Sequence, residues 1–120
     1  MTLTETSHAG GFLISEAHGH YARDNGKLAS GQKLDAGAVL GRITATGLYT
    51  AVAPAANDGS ESATAILYAG VDAMNADAPC VVIVRGAEVN QHALIWPNGM
   101  TASQIVTAIG QLIEAGVIVR

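Results

Sequence analysis

The chain has 120 residues, enough for one domain and too few for a second hydrophobic core. Hydrophobic residues make up 49%, but charged residues only 13%, about half the ~25% usual in globular proteins. The net charge is −4 and the 2 lysines and 4 arginines are scattered, which argues against the clustered cations that direct nucleic-acid binding requires.

The place of the missing charge is taken mainly by 22 alanines and 14 glycines. Such a surface is weakly hydrated. It is read in two ways, as a surface covered by partners or as a simple dilution by small residues. The single cysteine, Cys80, cannot form an intrachain disulfide and lies in an apolar run, where a buried, inert thiol is expected. That suits a reducing compartment. Phe12-Leu13-Ile14 is too short for a signal peptide, and no stretch approaches the ~20 apolar residues of a membrane span. A chain neither secreted by the standard route nor embedded in a membrane is expected.

Residues 1–11 read as a flexible N-terminal arm and 12–120 as one domain. The arm carries strand-compatible Thr2, Leu3, Thr4 and Thr6, and Gly10-Gly11 offers a hinge. Phe12 to Ala17 predicts a short strand, and Asn25-Gly26 a turn. Between Gly31 and Ile43, Leu34, Ala36, Ala38 and Leu40 share the period of a half-buried strand. Thr46-Gly47 then turns the chain into a second arm, Leu48 to Val52. A loop over Pro54–Ser62 has Asn57-Asp58-Gly59 at its tip. Ala65 to Tyr68 is a strand, Met74 to Ala78 is polar, and Cys80 to Val84 is the most hydrophobic strand. Leu94 to Pro97 follows, with a turn at Asn98-Gly99.

One helix is predicted, over Ala102–Ala115. Thr101 is its N-cap and Gln104 completes a capping box. Ile105, Ala108, Ile109 and Leu112 recur at helical spacing, with Val106 and Ile113 widening the stripe. Gly116 is the expected left-handed stop, and Val117-Ile118-Val119 the last strand. The fold class expected is α+β, mainly β.

Catalytic signatures are missing from the sequence. There is no Gly-x-Ser-x-Gly elbow, and Cys80 sits where its pKa should rise. There is no phosphate-binding loop with a following Lys-Ser or Lys-Thr. No catalytic residue and no cofactor is therefore assigned, and an enzyme is not expected. His18 and His20 flank Gly19, with His8 as a conceivable third ligand, but a polar turn explains them as well, so no metal is assigned. Trp96 is read as an anchor for a core or an interface, with Pro97 beside it, in preference to a ligand-stacking platform.

The blocks Gly31-Gln32 through Ala36-Gly37-Ala38-Val39-Leu40-Gly41, Asp58-Gly59, Ala65-Ile66-Leu67, a β pair ending in Leu94-Ile95-Trp96-Pro97, a single helix and Gly116-Val117-Ile118-Val119 follow one another in a recognisable order. In this the chain, from about Phe12 to Arg120, resembles the head decoration proteins of tailed bacteriophages, including the lambda-like type. The resemblance implies a small β-clip-like domain with one C-terminal helix. It implies a homotrimer on the outside of the expanded head, at local threefold axes, stabilising the shell against internal DNA pressure. The implied partners are the major capsid protein and the chain itself, with no membrane and no nucleic acid. The implied location is the capsid exterior of a virion assembled in the host cytoplasm. On this reading the capsid-binding residues are Thr2, Leu3, Thr4, Glu5, Thr6, Phe12 and Ile14, and Trp96 and Pro97 anchor the core or the trimer. Lambda-like members carry a longer polar arm before the first core block.

Two other readings are weaker. Leu34 to Ile43 is faintly similar to a biotinyl or lipoyl carrier hairpin, but neither Lys27 nor Lys33 has the setting of a modified lysine; a non-catalytic β-clip or biotinyl-like binding module is the alternative. Gly70-Val71-Asp72 is similar to the catalytic strand of trimeric dUTPases, but the expected tyrosine is missing, with Asn75 in its place.

Overall fold

The computed structural model describes residues 8–17, 19 and 21–120. Among the described residues ten strands run in the order β1 (Leu13–Glu16), β2 (Arg23–Leu28), β3 (Gln32–Leu34), β4 (Val39–Arg42), β5 (Tyr49–Ala51), β6 (Ala65–Leu67), β7 (Val71–Ala73), β8 (Ala78–Ile83), β9 (Ala87–Val89) and β10 (Val117–Val119). Helix α1 (Ala102–Ala115) precedes β10. Five strands close into a barrel in the order β2-β5-β4-β6-β8. A separate sheet, β1-β9-β10, joins β1 antiparallel and β10 parallel to β9, and β3 pairs with β7 as a ribbon. The mainly-β domain with one C-terminal helix is thus what the chain forms.

Two cores explain why the central strands lack clean alternation. Leu40, Ala65, Leu67, Cys80 and Val82 pack with Leu28 and Tyr49 in one cluster. Their neighbours Val39, Ile66 and Ile83 belong to the other, with Phe12, Val89, Leu112 and Val117. Strands β4, β6 and β8 are therefore buried on both faces, which demands continuous apolar runs. The second cluster lies where the β1-β9-β10 sheet and α1 cover the barrel.

The helix has its expected bounds and caps. Gln104 N–H donates to Thr101 Oγ1 at 3.2 Å, and Thr101 N–H donates to Gln104 Oε1 at 2.9 Å. Gly116 ends it at φ +102°, a left-handed conformation that glycine adopts without a Cβ penalty. Ala108 and Leu112 face the core, and the Ala63 N–H donates to Gln111 Oε1 at 2.8 Å, tying α1 to the chain entering β6. Val106 and Ile113, read as widening the apolar stripe, instead face outward and are exposed.

Three other expectations change. Asn25-Gly26 lies within β2, paired with Val81 and Cys80, and is not a turn. The glycine serves close approach: a Cβ on Gly26 would stand 2.7 Å from Cε2 of Tyr49. The alternating run from Gly31 to Ile43 is broken between β3 and β4, where Asp35 to Gly37 turn the chain from the ribbon into the barrel. Leu94 to Pro97 is not a strand; a short 3-10 turn over Gln91–Ala93 leads to a single bridge between Ile95 and Ala38.

Candidate functional site

The described part of the N-terminal segment enters the domain at a fixed point. Gly11 N–H donates to the His8 carbonyl at 2.9 Å and Leu13 N–H to that of Gly10 at 3.0 Å, forming a tight turn. Gly10 N–H donates to the Tyr68 carbonyl at 2.8 Å. The Tyr68 ring also lies against this glycine, where a Cβ would meet Cε2 at 2.9 Å. Over the same ring, 4.1 Å from its centroid, sits the Arg23 guanidinium. Arg23 is in turn held by Glu16 through two hydrogen bonds, of 2.6 and 3.1 Å. The Glu16 bond raises the Arg23 pKa, outweighing the opposite effect of partial burial.

Phe12 is 2% exposed and sits in the core between barrel and outer sheet, while its carbonyl accepts from Asn90 N–H at 2.8 Å. Two residues on, Ile14 is 53% exposed on the outer side of β1. Of the sequence-predicted contact residues, Phe12 is thus internal and Ile14 external. Thr2, Leu3, Thr4, Glu5 and Thr6 lie outside the described residues. So do His18 and His20, and with them the candidate metal pair.

The outer face of the β1-β9-β10 sheet presents Ile14 and Ile118, with Glu88 between their strands and Arg120 3.4 Å from its carboxylate. Trp96 and Pro97 stand elsewhere, at a groove of about 220 Å³ shared with Leu34, Ala38, Val39, Ala51, Ile95 and Asn98. Trp96 is half-buried and packs against the main core, and the neighbouring Ile95 is tied to the chain entering β4, its N–H donating to the Gly37 carbonyl at 2.9 Å and its carbonyl accepting from Val39 N–H at 3.1 Å.

The cations are largely consumed within the chain. Besides the Arg23–Glu16 and Arg120–Glu88 pairs, Arg85 grips Asp24 at 3.0 and 3.3 Å and donates to the Tyr21 carbonyl at 2.8 Å. Arg42 donates to the Gly47 carbonyl at 3.2 Å. Three of the four arginines are thus ion-paired within the chain and the fourth is hydrogen-bonded to its backbone. Burial raises the pKa of the Cys80 thiol, which keeps it protonated and a weak nucleophile. Among the described residues, no cluster of three His, Cys, Asp or Glu side chains is placed to hold a metal ion. No helix there is long and apolar enough to cross a membrane.

The Tyr68–Arg23–Glu16 anchor escaped the sequence reading. Its members are 45 residues apart in the case of Tyr68 and Arg23, and no local pattern announces their meeting. The Asp58-Gly59 block was legible as a loop, but not its role. Thr44 N–H donates to the Asp58 carbonyl at 2.9 Å, and the buried Ser60 hydroxyl donates to Asp58 Oδ1, which lowers the Asp58 pKa.

The model of the family described as bacteriophage lambda head decoration protein D matches residues 2–117. No curated protein matches the chain.

Proposed function

The chain belongs to the bacteriophage lambda head decoration protein D family, and we propose that it binds the outside of the expanded head as a homotrimer at local threefold axes. By membership it is a phage head decoration protein, a structural component associated with the capsid of the virion. The finer reading is that it cements the lattice of the major capsid protein against internal DNA pressure, after assembly in the host cytoplasm and without catalysis or cofactor. The single observation that carries this is the family match across 2–117.

The surface chemistry supports it. A cement protein docks many times on a symmetric lattice, and unpaired ions at each contact are costly to desolvate. Here three of the four arginines, Arg23, Arg85 and Arg120, are ion-paired within the chain, and Ile14 and Ile118 on the sheet and Val106 and Ile113 on the helix are exposed apolar groups. A closed trimer uses two different patches per copy, each meeting the other on its neighbour. Three simultaneous contacts then multiply a modest single-site affinity by about 10²–10⁴.

Residues Thr2 to Thr6, with Ile14, are the capsid contacts on this reading. Backbone pairing of the segment with a capsid strand supplies the affinity. Phe12 holds the root of the segment in the core, and Trp96 with Pro97 anchors the domain or its trimer. Electron microscopy of expanded heads mixed with the protein tests the reading. Knobs of added density at local threefold positions are expected; heads that stay bare, or carry density elsewhere, overturn it.

A further inference from the structure

The sequence contains two Asn-Gly steps, Asn25-Gly26 and Asn98-Gly99, and the fold places them in opposite chemical situations. We infer that Asn98-Gly99 is a built-in site of spontaneous deamidation, at which the neutral groove beside Trp96 acquires a carboxylate, whereas Asn25-Gly26 is protected. This inference is independent of the capsid reading.

The reaction needs the backbone nitrogen of the glycine to reach the side-chain carbonyl carbon of the asparagine. The Gly99 nitrogen bonds to Asn98 Cγ, the Cγ–Nδ2 bond breaks, and ammonia leaves with the displaced proton. Water then adds to either carbonyl of the succinimide ring, giving an aspartyl or an isoaspartyl residue. The only co-reactant is water.

At Asn98 nothing among the described residues opposes that approach. Asn98 and Gly99 are both exposed in a turn, and Gly99 stands at φ +87° with nothing within 4 Å of where a Cβ would lie. Among the described residues, the Asn98 side chain has no hydrogen-bond partner to restrain it, and Gly99 N–H donates to no backbone carbonyl. The nucleophile is free and the backbone has room to swing.

At Asn25 the approach is opposed. Its backbone lies in the six-residue pairing of β2 with β8, opposite Val81 and Cys80. Ring closure there means pulling Gly26 out of the ladder, and the Tyr49 ring packed on Gly26 blocks that movement. Reaction at Asn25 therefore waits on local opening of the barrel, which makes it more than about tenfold slower.

The consequence is local and electrostatic. Asn98 lines the groove with Trp96 and Pro97, so conversion sets a negative charge on the rim of an apolar surface and takes the net charge one unit below −4.

The test is incubation of the folded protein in mildly alkaline buffer, followed by isoelectric focusing and peptide mapping. An acidic form that maps to the peptide holding Asn98 is expected, with the peptide holding Asn25 intact. Asn98→Gln, whose ring closure is slower, should abolish the acidic form while leaving the unfolding midpoint unchanged. In denaturant, both Asn-Gly peptides should convert at similar rates. Conversion at Asn25 first, equal rates in the folded protein, or a persistent acidic form in Asn98→Gln would each overturn the inference.

Discussion

Gly10 and Tyr68 meet twice: the glycine N–H donates to the tyrosine carbonyl at 2.8 Å, and the tyrosine ring covers the face where a side chain would project. Gly10 also stands at φ +67°. Gly10→Ala therefore combines left-handed strain, about 1–2 kcal/mol, with a clash on the ring. The expected result is a lower denaturant midpoint with unchanged slope, read by circular dichroism. An unchanged midpoint would show that the turn at residues 8–11 does not anchor the segment.

Trp96 is half-buried, so its truncation should be milder than that of a fully enclosed aromatic. Trp96→Ala is expected to lower stability by about 2 kcal/mol, below the ~3–5 kcal/mol of complete burial. Thermal denaturation checks this. A variant matching the parent would transfer Trp96 from anchoring the fold to contacting a partner.

The loop at Asp58 gives a pH dependence with a definite sign. The hydrogen bond from the Ser60 hydroxyl, followed by that from its backbone N–H, lowers the folded-state pKa below the ordinary 3.8. The unfolded chain thus takes up a proton first as pH falls. The contribution is complete above the unfolded value and is lost as pH drops through the folded one. The unfolding midpoint, followed from about pH 5 to about pH 2, should fall in the lower half of that range. Asp58→Asn should flatten part of the fall. Identical profiles for the two proteins would remove Asp58 from the account.

The strongest sequence signals were the local ones. Thr101 and Gln104 are three residues apart and cap the same turn, so the helix could be bounded from the chain alone. The Cys80 to Val84 run announced a strand because burial on both faces leaves no polar positions. What sequence reasoning missed depends on distant partners. Val71–Ala73 becomes a strand only by pairing with Gln32–Leu34, and Asn25-Gly26 stays extended because Tyr49 needs the space a glycine leaves. Phe12 and Ile14 look alike as apolar residues near the N-terminus. The structure separates them, one turned into the core and the other outward.

Self-association is expected from the proposed function. Light scattering of the purified protein at micromolar concentration should report three copies per particle. Val106→Ser together with Ile113→Ser changes two exposed helix positions and should shift stability by less than about 0.5 kcal/mol each. A monomer both in solution and on heads would contradict the trimer.

The central claim is that this domain docks on the phage head through its N-terminal residues. Residues 8–11 belong to the folded turn, so the informative truncation removes only 2–7. Co-sedimentation of the full chain and this truncation with expanded heads tests the claim most directly. The account predicts saturable binding of the full chain and severe loss in the truncation, with an unchanged unfolding midpoint. Equal occupancy by the truncation, or a full chain that stays in the supernatant, would contradict it.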